Sequence, residues 1–501
     1  MLPTFMEVID TSIASVALPH IAGSLSATTD EATWVLTSYL VANAIVLPAS
    51  GWLSLRFGRK RFLLACIVIF TGSSFLCGAS NSLGLILIAR ALQGAGGGAL
   101  QPLSQSILME SFPPARRGMA MAMYGLGVVV APVLGPTLGG WLTDQYSWRW
   151  AFYINIPIGV LALGMISRFV TDPPYIRDAK PGRLDAIGLG LLALWLGALQ
   201  IILDKGQEVD WFGAEWVRWT TFCLVLALAA FLVRELTANA PLVDLRVFKD
   251  RNFALGCLLM GLFGGVIYGV VTLLPLFYQT LLGYSAVAAG WAVSPRGLGA
   301  IAIMPVIGIL TGRLDNRWLI ISGFAVFGLT SIWMSGLTLE ISPTSLFWPI
   351  VISGVGSGMV FVPLSTASLA TLRNEQMGNA SGLFNLLRNV GGGIGISTVN
   401  TLIARHVQIH RALLAQNLTP FNPSMNHTFS SVFGAMSAVA PPNVASRRAY
   451  EVIDRTLNAQ SAAASYVDVF RYLAIACFLC GFIVLLMHKV RARKDARAMA
   501  Q

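Results

Sequence analysis

Two carboxylates, Glu7 and Asp10, lie within the first ten residues, inside the run MLPTFMEVIDTSIASVALPH. Their neighbours are Met, Val, Ile, Ala and Leu. Three residues apart on a helix, they fall on nearly one face. Apolar surroundings favour the protonated form of a carboxyl group, and a second acid nearby adds to this. Such a group can exchange a proton near neutral pH. A proton and a lipophilic cation then compete for one negative site, which is the simplest physical basis for exchanging them. An acid pair at a helix start, favourable to the helix dipole, accounts well for Glu7 and poorly for Asp10. Glu7 is expected nearer the interface, where water screens it, and Asp10 deeper.

A cation sits in an equally apolar run. The stretch ILIARALQGAGGGALQPLS places Arg90 inside a hydrophobic segment, with Gln93 one turn on. An arginine near mid-membrane costs at least roughly 2.5–3.5 kcal/mol, so it usually faces the interior and has a partner or a task. Snorkelling to the interface would demand a shallower position than about two turns. The glycines that follow admit close helix packing. They are not a phosphate loop, because no Lys-Ser/Thr follows. Further polar residues inside apolar runs are Tyr39, Asn43, Gln279, Arg296, Asn385, Arg388 and Asn389. Tyr39 and Asn43, four apart, share a helix face. Some of these residues serve as glue between helices. A cavity they line, with Phe, Met and Trp, would suit bulky amphipathic ligands.

Two glycine-rich motifs concern motion. GLGVVVAPVLGPTLGGWL holds Pro132, Gly135, Pro136, Gly139 and Gly140 in one span. Proline removes a backbone hydrogen bond and glycine admits close contact, giving a kinked, thin helix. In GWLSLRFGRKR, Gly51 and Gly58 permit a tight turn beside Arg56 and Arg59. This stretch reads as a topology signal or as a latch between two helices.

The elements that position these residues follow from composition. The 501 residues are 55% hydrophobic and only 11% charged, against about 25% charged in soluble domains. This is a polytopic membrane chain. About fourteen spans are expected, at 3–22, 34–53, 62–79, 84–108, 118–142, 150–169, 185–203, 216–235, 253–280, 286–310, 319–338, 347–370, 378–403 and 465–488. The first run lacks a basic leader and a small-residue cleavage site, so no cleavable signal peptide is expected. All six cysteines fall in apolar segments and read as small apolar side chains. No nucleophile–base pair, metal cluster or cofactor loop is evident, which argues against an enzyme.

Loops after even-numbered spans, with the C-terminal tail, hold 22 Lys and Arg, and the opposite loops hold 8. By the positive-inside rule both termini are cytoplasmic. The net charge of +11 then faces anionic lipid, and nucleic acid is not needed to explain it. An internal repeat is also present. LPASGWLSLRFGRKR (47–61) resembles MPVIGILTGRLDNRW (304–318), aligning Gly51 with Gly308 and Tyr39 with Arg296. RGMAMAMYGL (117–126) resembles MGNASGLFNL (377–386). Both copies keep the same sidedness, which fits two six-helix bundles related by an axis along the membrane normal. The expected organisation is an N-terminal bundle at 1–170, a linker with two inserted helices at 171–252, a C-terminal bundle at 253–488 with an outward loop at 404–464, and a basic tail at 489–501. The outward loop reads as a disordered connector or a docking element.

These residues together resemble the major facilitator superfamily and, more narrowly, its fourteen-helix drug:proton antiporters of EmrB/QacA type. EVIDTSIASVALP, GWLSLRFGRK, RALQGAGGG, APVLGPTLGG and WRWAFYINIPIG carry the resemblance, with the two inserted helices. It covers essentially the whole chain. The APVLGPTLGG motif is the most specific, because in the superfamily it marks antiporters over symporters. One departure is Leu55, where the superfamily loop has an aspartate.

The resemblance implies an all-α major facilitator fold in a bacterial inner membrane and an antiporter driven by the proton motive force, with no cofactor. Asp10 occupies the acidic position of the family's first-helix motif. The implied cargo is hydrophobic or amphipathic compounds such as drugs, with antibiotic resistance as a consequence. In two-membrane bacteria it also implies a periplasmic adaptor and an outer-membrane channel, although similar loops occur in relatives without them. Alternatives are export of one metabolite, fatty acid or siderophore, a nutrient symporter, or a non-transporting sensor.

Overall fold

The computed structural model describes residues 1–113, 116–177, 182, 185–238, 241–419 and 421–489. Lys180, Arg183 and the basic tail from residue 490 onward lie outside the described residues. Regular structure among the described residues is helical throughout. Twelve long helices come first: α1 Leu2–Ser24, α2 Thr29–Phe57, α3 Arg59–Ala79, α4 Leu83–Ser111, α5 Arg117–Gln145, α6 Trp150–Phe169, α7 Ala186–Lys205, α8 Glu215–Thr237, α9 Arg251–Thr280, α10 Val287–Leu310, α11 Asn316–Met334 and α12 Phe347–Leu369. There follow α13 Met377–Ala415, the short α14 Pro423–Ser437 and α15 Pro442–Val484.

Thirteen helices are long and apolar enough to cross a membrane. The fourteenth long helix is α13, whose glycines, asparagines and far-end polar residues dilute its hydropathy. Fourteen long helices therefore lie where the fourteen spans were expected, thirteen of them apolar enough to cross a membrane.

The loops after even-numbered helices gather at one end of the bundle. There Asn252 donates to the His488 carbonyl at 3.1 Å, and Arg317 pairs with Asp315 at 2.9 Å. This is the basic end. At the far end, Thr28 caps α2, accepting from Glu31 N at 3.2 Å while its own N–H donates to the Glu31 carboxylate at 2.8 Å.

The repeat reappears as packing. A Cβ on Gly51 of α2 would stand 2.8 Å from Asn379 N at the start of α13. A Cβ on Gly118 at the start of α5 would stand 2.6 Å from the Gly308 carbonyl of α10. Gly51 aligns with Gly308, and Gly118 with Gly378. Repeat-related glycines thus make repeat-related contacts, each joining one half of the chain to the other at the basic end. Only backbones without side chains approach this closely.

The inserted pair α7–α8 is closed by Arg234 and Asp185 at 2.9 Å. It bridges the halves. Thr37 of α2 donates to Asp204 at 2.7 Å, and Trp211 donates to Thr401 of α13 at 3.2 Å.

The outward loop is the main correction. Residues 404–464 are largely helical, and the last helix begins at Pro442 rather than near 465. α13 has 39 residues and α15 has 43, so at about 1.5 Å per residue each far exceeds a hydrocarbon core of about 30 Å. Their far-end halves stand beyond it as a polar hairpin. His410–Asp468 at 2.7 Å and Arg411–Asp454 at 2.9 Å hold the two helices together. Phe429 of α14 packs on Tyr450 with ring centroids 4.7 Å apart. Polarity hid these helices from a search for apolar runs.

Candidate functional site

Toward the far end the halves part around a cavity of about 510 Å³. That size suits a drug-sized ligand. α1, α2, α9 and α13 line it, and α7 walls one side through Leu196, Leu199, Leu203 and Asp204. Its walls are aliphatic and hydroxyl- or amide-bearing, with Glu7, Asp204, Lys205 and Glu208 as the charged members and without the Phe, Met and Trp expected from composition. A smaller pocket of about 30 Å³ continues inward, sharing Pro132, Tyr268 and Val271 with the large cavity. Phe263 and Phe361 line this inner part, as do Arg296 and Arg388.

The two acids of α1 have different surroundings. Asp10 is fully buried and accepts from three side chains. Arg90 Nη1 donates at 2.6 Å, Gln93 Nε2 at 2.8 Å and Asn155 Nδ2 at 2.6 Å. Arg90 is also fully buried; its Nε donates to the Val35 carbonyl at 3.0 Å, and its guanidinium lies 4.2 Å from the centre of the Tyr39 ring. The pair compensates a charge that would be prohibitive alone. Ser74 accepts from Gln93 at 2.7 Å and completes the cluster.

Glu7 is 3% exposed and lines the large cavity. Asn43 donates to its Oε1 at 2.9 Å, while Oε2 is buried without a partner. The three-residue spacing turns the acids about 60° apart. That is enough to point Asp10 into the N-terminal half and Glu7 into the cavity.

Among the other expected pathway residues, Tyr39 and Asn43 line the cavity. Asn385 is buried and donates to Gln105 at 2.6 Å, a bond between the halves. Gln279 is exposed in the last turn of α9 and lines neither cavity. Sequence reading missed Gln101, which lines the cavity and accepts from Arg388. It also missed Asn155. Both lie in motifs that were quoted for other residues.

The α5 motif packs as its residues demand. Pro136 has no N–H for the Pro132 carbonyl, and Ser12 of α1 donates to that carbonyl at 3.1 Å. Gly135 lies directly against Ser12, so that any Cβ there would collide. A Cβ on Gly139 would stand 3.1 Å from Ile13, and one on Gly140 2.6 Å from Val287 of α10. α5 therefore touches both halves along its length.

At the α2–α3 turn, Gly58 has φ +82°. Arg59 pairs with Glu110 of α4 through two bonds of 2.9 Å, and Lys60 N donates to Asp172 at 2.8 Å. Burial pushes the Tyr175 hydroxyl up, so it stays protonated and donates to Glu110 at 2.8 Å while accepting from Arg59. Glu110 and Asp172 supply acids that Leu55 does not. Arg56 is exposed.

The sequence profile of the Major Facilitator Superfamily matches residues 1–396. The fatty acid resistance protein FarB of Neisseria gonorrhoeae is 40% identical over 427 residues, 85% of this chain and 84% of the relative. The multidrug export protein EmrB of Escherichia coli K12 is 39% identical over 438 residues, covering 86% and 84%. Among solved structures, the proton:xylose symporter XylE superposes with a TM-score of 0.59 at 13% identity, covering 100% of this chain and 97% of its own. The fold, the motifs and these relatives agree: the chain belongs to the major facilitator superfamily and, within it, to the fourteen-helix family of EmrB/QacA type.

Proposed function

We propose that the protein exports hydrophobic or amphipathic compounds across a bacterial inner membrane in exchange for protons, by alternating access. The observation that carries this reading is the cavity between the halves, ending at a buried carboxylate, Glu7, with one oxygen unpartnered. Relatives named for multidrug export and fatty acid resistance support it.

In this reading residues 1–170 and 253–488 are the two rocking halves, and the α7–α8 pair follows between them. The basic end is cytoplasmic, by the distribution of Lys and Arg. The structure then stands open to the outside, with the glycine contacts of Gly51 and Gly118 closing the inside. Protons arrive through the cavity at Glu7. The Asp10–Arg90 pair, one turn away, exchanges its partner when a proton neutralises Asp10. One proton moving down 100 mV supplies about 2.3 kcal/mol. The polar hairpin of α13 and α15 reaches into the external space, where an adaptor protein would dock.

The test is uptake of a dye into everted vesicles under an imposed proton gradient. Gradient-dependent dye accumulation in vesicles carrying the protein, beyond that in empty ones, is the expected result. Accumulation equal in both contradicts the reading.

A further inference from the structure

We propose that Arg296 and Arg388 form a carboxylate-binding subsite, at which a lipophilic acid seats its ionised head while its apolar body fills the large cavity. The inference rests on the efflux reading and names one substrate class for it.

A buried guanidinium is costly unless an acid pairs with it. The N-terminal half obeys this rule: Arg59 has Glu110 and Arg90 has Asp10. The C-terminal half does not. Arg388 is 2% exposed, its Nη2 donates only to the amide oxygens of Gln101 and Asn389, and its Nε and Nη1 are buried without partners. Arg296 is 4% exposed, and its Nε donates to Ser353 Oγ at 3.2 Å. Neither makes an ion pair among the described residues. Glu7 is an acid within electrostatic reach of Arg388, but it lines the large cavity and not the inner pocket, and no ion pair joins the two.

Both arginines line the inner pocket of about 30 Å³. That is roughly one water's share of liquid volume. It holds a head group and not a body. Val128, Phe263, Ile267 and Phe361 surround it, so water competes poorly for the guanidiniums. A carboxylate is planar, matches the guanidinium fork and would satisfy the free N–H groups. Beyond the shared wall of Pro132, Tyr268 and Val271, the leucines of α7 offer an aliphatic surface for a chain or ring system.

The test uses the full-length protein in phosphatidylcholine nanodiscs near neutral pH. The probes are dansyl-undecanoic acid and its methyl ester, which differ in charge and share the apolar body. The acid should bind at least about ten-fold tighter than the ester. Arg296→Gln and Arg388→Gln should each reduce that preference to below about three-fold. Equal affinity for acid and ester in the parent overturns the proposal, as does an intact preference in both variants. If the Gln variants fail to fold, Arg296→Lys and Arg388→Lys take their place. These keep the charge and lose the planar fork. A preference reduced at least about three-fold then supports the subsite, and an unchanged one overturns it. Proton-driven efflux of ethidium by the parent separates the two levels: its absence removes the efflux reading, whereas equal binding of acid and ester removes only this subsite.

Discussion

The two halves of the chain share one architecture and handle buried charge in opposite ways. In the N-terminal half, every buried arginine has an acid: Asp10 for Arg90 and Glu110 for Arg59. In the C-terminal half, the buried charges among the described residues are Arg296 and Arg388, and neither makes an ion pair, although Glu7 lies within electrostatic reach of Arg388. The repeat sharpens the contrast, because Arg296 aligns with Tyr39, which lies over Arg90. One half therefore pairs its buried arginines with acids and leaves Glu7 as the acid facing the cavity. The other holds open donors that face the cavity system.

The largest expected effect comes from breaking one of these pairs. Asp10→Asn leaves Arg90 buried and uncompensated, which should cost about 3–5 kcal/mol. It should lower the thermal midpoint of the purified protein and reduce efflux to background. Asp10→Asn with Arg90→Gln should recover much of the stability and none of the efflux. Recovery of efflux would make the pair a structural element only.

Next in size is the helix that touches both halves. Gly135→Leu forces a side chain into Ser12, and efflux should fall at least about ten-fold while the still apolar span inserts normally. Normal efflux from a well-expressed variant would reduce the motif to filler.

The paired glycine contacts give a smaller, symmetrical effect. Gly51→Leu and Gly308→Leu should each loosen the basic end and slow efflux several-fold, by similar amounts. Cysteines placed at Ser15 and labelled from the far end should then react more slowly. A loss confined to one variant would break the symmetry.

The smallest stability change is expected for Glu7→Gln, below about 1 kcal/mol, since the amide keeps an oxygen that can accept from Asn43. Cation efflux should suffer more than efflux of neutral compounds. Equal loss for both classes would remove the electrostatic role.

Much of this was legible in the sequence. Acids, arginines and glycines stand out against apolar runs, and hydropathy alone placed the spans. The repeat brought Gly51 and Gly308, and Gly118 and Gly378, into correspondence before any contact was known. Other features were not legible, for physical reasons. A rotation of about 60° along α1 separates Glu7 from Asp10, and only packing decides which acid meets the cavity. Glu110 and Asp172 lie far along the chain from the loop whose cations they bind. The polar ends of α13 and α15 read as loop, because their helices are stabilised by each other instead of by lipid.

The most direct measurement is proton release when substrate is added to purified protein in a weakly buffered solution. The parent should release protons in proportion to substrate bound, and the double variant Glu7→Gln/Asp10→Asn should bind substrate and release none. The single variants then divide the proton between the two acids. Release from the double variant equal to that of the parent would contradict the assignment of proton exchange to α1.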